Sequence, residues 1–86
     1  MKTINLKDIQ VLLAETFPNS VIPQDINHLK SGDLQGWDSL GNFNLLLAIE
    51  DKYDVRFSME QIAEIKSIQQ ILTFLADTEE LSLIHI

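Results

Sequence analysis

Apolar residues near the start of the chain recur at intervals of three and four. Leu6, Ile9, Leu13 and Phe17 form one stripe, and Leu12 widens it. This is the period of an amphipathic helix, predicted over Ile4 to Phe17. Asn5 with Asp8 three residues on has the form of a capping arrangement, and Pro18-Asn19 stops the pattern. From 18 to 38 the periodicity disappears. Both prolines (Pro18, Pro23) and two of the three glycines (Gly32, Gly36) fall there, with Val21, Ile22, Ile26, Leu29 and Leu34 as scattered apolar anchors. A connection of that length in so short a chain is either packed down or functional. A short helical turn near 24–29 is compatible with it.

Ser39 to Tyr53 is the second predicted helix. Leu40, Phe43, Leu46, Leu47 and Tyr53 make one broad face, extended by Leu45, Ala48 and Ile49. Asp54 ends the pattern, and Val55-Arg56-Phe57 reads as extended chain. Ser58 with Gln61 is a capping box opening a short third helix through Glu64. Ser67 with Gln70 is another, opening a fourth helix to Ala76 or Asp77. Ile68, Ile71, Leu72 and Leu75 are its inward stripe. No segment alternates with a period of two, so no strand is expected. The predicted class is all-α: a four-helix bundle of three longer helices and a short third, with a long loop between the first two. A single domain over 1–86 is expected, ending in an apolar tail over 79–86. That tail, Leu81-Ser82-Leu83-Ile84-His85-Ile86, is read as packing back on the bundle, with a docking tail as the alternative.

Composition removes several functions. The net charge of −7 argues against nucleic acid, whose recognition needs a basic surface, and against anionic membranes. There is no cysteine, hence neither a disulfide framework nor a thiolate metal site. The longest strictly apolar run, Leu45 to Ile49, is too short for a membrane span. Lys2, Lys7 and Asp8 stand where a signal peptide needs an apolar core. These features lead to the expectation of a small, monomeric cytoplasmic protein.

The side-chain chemistry is sparse. A serine hydrolase needs a base and an orienting group. Ser39 has Asp38 beside it, but the histidines are His28 and His85 alone, and no Gly-x-Ser-x-Gly elbow exists. Asp51 and Asp54 lack the ligand ladder, central glycine and closing glutamate of a calcium loop. Two histidines without cysteine do not make a zinc site. Gly36-Trp37-Asp38-Ser39-Leu40 is what remains. Asp38 suits an N-cap, which makes Ser39 the first helical residue. A hydroxyl there projects from the helix end that favours negative charge, a good place for a phosphate ester. Capping alone is the plain structural alternative.

From Leu34 to Leu75 the sequence, "LQGWDSLGNFNLLLAIEDKYDVRFSMEQIAEIKSIQQILTFL", resembles the acyl and peptidyl carrier proteins. The shared features are Asp-Ser-Leu opening a long second helix, an acidic-aromatic close (Glu50-Asp51-Lys52-Tyr53), a short third helix, and Ser67-Ile68 starting the last. The first helix and long loop fit as well.

The resemblance implies a protein that is not an enzyme. A phosphopantetheinyl transferase would place 4′-phosphopantetheine from coenzyme A on Ser39 as a phosphodiester. The arm's thiol would then carry an acyl or aminoacyl group as a thioester. Its partners would be an acyl- or aminoacyl-activating ligase and acyl or condensing transferases. Asp38 would cap the helix and contact the modifying enzyme. Leu40, Phe43 and Leu47 would be apolar docking contacts, and Glu50 and Asp51 charged ones. Core packing is the plain alternative for the three apolar residues, and a solvated helix end for the two acids. The chain departs from the fatty-acid type at Gly41 and Asn44, where acids are common, and at Met59 and Ala63. The resemblance therefore implies a specialised stand-alone member of the family. The reading from a different class is a helical interaction module with no prosthetic group, in which Asp38-Ser39 is only a cap.

Overall fold

The computed structural model describes the backbone of residues 5–84 and the side chains of residues 5–77. Four helices follow one another: α1 (Leu6–Thr16), α2 (Ser39–Tyr53), α3 (Met59–Glu64) and α4 (Ile68–Ile84). Among the described residues there is no strand. A single isolated bridge pairs Lys30 with Ser67. The protein is all-α.

Local chemistry explains each helix boundary. The Asn5 side chain accepts the Lys7 N–H, and Phe17 closes α1 by donating its N–H to the Leu13 carbonyl. The helix thus lies just inside the predicted span, with Asn5 as its cap and Phe17 as its terminator. Ile4 lies outside the described residues. Helix α2 has the predicted limits. It ends at Asp54, which adopts a left-handed conformation (φ 55°). That conformation is open to aspartate at modest cost, and it turns the Asp54 and Val55 N–H groups onto the Glu50 carbonyl.

The capping box of α3 forms as expected: Ser58 Oγ accepts from Gln61 N and Gln61 Oε1 from Ser58 N. The second box is altered. Ser67 Oγ accepts the Gln70 N–H, but Gln70 Oε1 reaches the Lys66 N–H rather than that of Ser67. Helix α4 also runs past the predicted stop at Ala76 or Asp77, to Ile84. Residues 77–84 contain neither glycine nor proline to break it, and Glu79, Glu80, Leu81 and Leu83 are good helix formers. The expected docking of the tail over 79–86 lies outside the described side chains.

The core is one cluster drawn from every part of the described chain. Ile9, Leu13 and Phe17 come from α1 and its cap. Ile26, Leu29, Leu34 and Trp37 come from the long loop. Leu45, Leu46, Ile49 and Tyr53 come from α2, and Phe57, Ile65, Ile68, Ile71 and Leu75 from beyond it. Helix α1 packs along α2. Helix α3 buries no residue fully; Ile62 packs against the cluster from its edge. Phe57 and the half-buried Phe74 meet with ring centroids 4.3 Å apart. Leu72, expected in the α4 stripe, is only partly buried.

The long loop is packed down, and hydrogen bonds hold it there. Ile68 N donates to Leu29 O (3.0 Å) and Ser31 N to Lys66 O (2.7 Å), a short pairing that ties the loop to the α3–α4 link. Gln10 Nε2 reaches Pro23 O and Gln69 Nε2 reaches Asn27 O. Within 24–29 the chain makes a single turn, closed by Leu29 N on Ile26 O. Of the five expected anchors, Val21 is 91% exposed and anchors nothing. Burying the others gives the loop the apolar contact that periodicity could not predict.

Candidate functional site at the start of helix α2

Trp37, the unusual residue in the Gly-Trp-Asp-Ser-Leu stretch, is a core residue, 1% exposed. Its ring stacks on Phe17 with centroids 5.7 Å apart. Its indole Nε1 donates to Asn42 Oδ1 at 2.9 Å, and Asn42 Nδ2 donates to the Ile65 carbonyl at 2.8 Å. Asn42 is buried, and both ends of its amide are satisfied, as a polar group removed from water requires. The loop thus arrives at α2 with its last apolar side chain locked into the interior. The backbone that follows has one direction to take.

Asp38 is the N-cap. Its backbone is extended, and its Oδ1 accepts the Gly41 N–H at 2.8 Å. Ser39 is therefore the first residue of a 15-residue helix, and it is exposed. Gly41 is buried. A Cβ on it would run into the Gly36 carbonyl oxygen and approach the Phe17 ring to 2.9 Å. Gly36 itself has φ 92°, a conformation that favours glycine. The two glycines let the loop cross directly over the first turn of α2. Gly41 therefore marks a close backbone approach, a position with no room for any side chain, and it is not merely a docking site that lacks its acid.

Beside Ser39 lies a cleft of about 380 Å³, lined by Ser31, Ser39, Asn42, Phe43, Ile62, Ala63 and Lys66. It runs between the start of α2 and α3. Lys66 supplies its cation, in a chain whose net charge is −7. Ser31 Oγ donates to the Trp37 carbonyl.

The expected docking residues divide. Leu40, Phe43 and Leu47 are 69%, 40% and 42% exposed, so they lie on the surface and not in the core. The broad apolar face expected of α2 is therefore two faces, with Leu46 and Tyr53 turned inward with Leu45 and Ile49. Met59, at the start of α3, is exposed as well. Asp51 is exposed. Glu50 is half-buried, and its Oε2 accepts the Phe57 N–H at 2.7 Å. That bond ties the chain after α2 back onto the helix, so Glu50 has a structural task that a solvated helix end would not have. Glu50, Asp51, Asp54 and Arg56 share a second surface cleft with Leu47 and Val55.

A hydrolytic site does not form among the described residues. Asp38 is engaged as the cap, His28 is exposed in the loop, and no hydrogen bond joins either to Ser39. His85 lies outside the described residues. No group of three metal-ligating side chains comes together among those described.

The sequence reading missed Lys66, Ser31 and Ile62 as neighbours of Ser39, because they come from a loop, a short helix and a link distant along the chain. It also missed Asn42. There a signal existed: Asn42 precedes Leu45, Leu46 and Ile49 by three, four and seven residues, so it stands on the buried stripe. No protein-family model, no curated protein and no solved structure matches this chain. No described helix is long and apolar enough to cross a membrane.

Proposed function

We propose that this protein is a carrier of acyl or aminoacyl groups, tethered through a 4′-phosphopantetheine arm on Ser39. The observation that carries the reading is the presentation of Ser39. It is an exposed hydroxyl at the first position of α2, fixed by the Asp38 cap. The free N–H groups and dipole of a helix start favour the charge of a phosphodiester, and Lys66 lines the same cleft. The four helices are read as the bundle of such carriers, formed by one domain.

In this reading the protein catalyses nothing itself. A phosphopantetheinyl transferase transfers the arm from coenzyme A to the Ser39 oxygen, releasing adenosine 3′,5′-bisphosphate. The terminal thiol then holds the cargo as a thioester. The chain has no cysteine, so that thiol has no competitor within the protein. Tethering raises the cargo's effective concentration at a docked active site. Leu40, Phe43 and Leu47 form the apolar docking contact beside the arm, with Asp51 as the charged one. Glu50 contributes mainly by holding the end of α2.

The exposed apolar row also favours a second reading, a helical interaction module without a prosthetic group. Incubation with coenzyme A and a promiscuous transferase, followed by intact-mass measurement, separates the two. The carrier reading expects a gain of one phosphopantetheine that Ser39→Ala abolishes. No gain, or a gain that persists in Ser39→Ala, rejects it and leaves the interaction module.

A further inference from the structure

The cleft at Ser39 has one buried residue in its lining, Asn42; the rest are half-buried or exposed. Of the cleft's lining, Asn42 alone therefore belongs to both the cleft wall and the buried interior. Behind it stands the Trp37 indole, bonded to Asn42 Oδ1 at 2.9 Å and stacked on Phe17. The other end of the amide holds the Ile65 carbonyl. The neighbouring Lys66 carbonyl accepts the Ser31 N–H, and Ser31 Oγ and Gly32 N both donate to the Trp37 carbonyl. The side of α2 that carries Asn42, the end of the long loop and the α3–α4 link are thus fastened to one another at the level of Ser39. Parting α2 from the end of α3 breaks the buried bond from Asn42 to the Ile65 carbonyl, and the groups freed would face hydrocarbon.

We propose that Asn42, clamped between Trp37 and Ile65, bars the interior to a chain tethered at Ser39, so that the cargo is a short or polar acyl or aminoacyl group kept in the surface cleft. The assignment of cargo rests on the carrier reading; the barrier itself does not. The cleft suits such a group. Ser31, Ser39 and Lys66 give it a polar rim, and Phe43, Ile62 and Ala63 an apolar wall of similar extent, so that it takes a short chain with a polar end.

The absence of cysteine permits a test independent of any modifying enzyme. Ser39→Cys introduces the sole thiol, to which methyl, butyl and octyl groups are attached through alkyl methanethiosulfonates. The Trp37 indole N–H and the Leu46 backbone N–H, which belong to core residues outside the cleft lining, are followed by ¹H–¹⁵N NMR, and the melting temperature is measured alongside. All three adducts are expected to give the same two sets of resonances and the same melting temperature. Resonances that shift progressively with chain length, or a melting temperature that rises with it, would show the chain entering and overturn the proposal.

The same series on Ser39→Cys/Asn42→Leu is expected to acquire a length dependence, read on the Trp37 indole. Trp37→Phe, which removes the indole donor and keeps an aromatic ring, provides the second background, read on the melting temperature and the Leu46 backbone N–H. A residue with only a structural role would lower stability equally for all adducts. Indifference to chain length in both backgrounds would show that Asn42 is not the barrier. Should the transferase leave wild-type Ser39 bare, the carrier reading falls, while the adduct series still decides whether the barrier exists.

Discussion

Asn42, Leu45, Leu46, Ile49 and Tyr53 on one side of α2 are between 0% and 7% exposed, whereas Leu40, Phe43 and Leu47 on the other run from 40% to 69%. The two sides share residue types, including leucine on both. They differ in what the rest of the chain brings to them. The inner side joins the cluster that α1, the long loop and α4 contribute to; among the described residues, Phe43 on the outer side shares its cleft with Ile62 and Ala63 of α3. Helix α2 therefore contributes four apolar residues to the core and also carries three exposed large apolar side chains. Scattered exposed apolar residues are ordinary; three on one helix beside an exposed serine are what the proposed docking face rests on.

The strongest test of this division is truncation on the inner side. Leu45→Ala removes a side chain with no exposure at the middle of the cluster, and a loss of about 2–5 kcal/mol is expected from denaturant unfolding. A loss under about 1 kcal/mol would mean that the inner side is less tightly packed than described. Gly41→Ala comes next. Alanine is the better helix former by about 1 kcal/mol, yet its Cβ has no room against Gly36 and Phe17. A net loss of about 1–3 kcal/mol is expected from overpacking. Stabilisation would show that the loop yields freely.

Asp38→Ala tests the boundary between the two sides. Losing the cap to Gly41 N should reduce stability by about 1 kcal/mol. It should also slow arm attachment by more than that change in folding explains. Equal arm transfer to folded wild type and variant would confine Asp38 to capping. On the outer side, Phe43→Ala is expected to change stability by less than about 1 kcal/mol, since the ring is 40% exposed. Transfer of cargo to a cognate enzyme should fall at least tenfold, which corresponds to about 1.4 kcal/mol of binding. A variant that unfolds but transfers normally while folded would return Phe43 to the core.

The smallest expected effect is at the far end of the inner side. Among the described residues the buried Tyr53 hydroxyl makes no hydrogen bond of good geometry, although the Asn5 backbone lies close enough to act on it. Burial pushes its pKa above 10.0, and the Asp8 carboxylate adds to this, with the Asn5 backbone acting in the opposite direction. The folded state thus favours the neutral phenol. Its contribution is fully present below pH 10, and it is lost as the pH rises through the higher folded-state value. Tyr53→Phe should change stability near neutral pH by less than about 1 kcal/mol, because at most a weak contact with the Asn5 backbone is lost. It should weaken the fall in stability above pH 10. An unchanged alkaline profile would place the sensitivity on other groups.

The boundaries of α2 and α3 were legible because their determinants are local. Asp38 and Ser58 each bond backbone three residues away, and Gln61 answers Ser58 within the same turn. The end of α4 was misplaced because no breaker residue follows Asp77, and a fading apolar stripe does not stop a helix. Ser39 and Asp38 were found by the same local logic of capping. Lys66, Ser31 and Ile62 were not, since their nearness to Ser39 depends on where the loop and α3 come to rest.

By itself, the sequence determined the all-α class, where α2 and α3 begin and end, and which hydroxyl stands at the start of the long helix. Each of these depends on interactions spanning a few residues, so a short window contains its cause. Only the tertiary structure decided which leucines of α2 are core and which are surface, why Gly41 has no side chain, and that Trp37 and Asn42 stand behind the cleft. Those outcomes depend on which distant segment covers a given face, and burial is a property of the covering segment as much as of the residue covered.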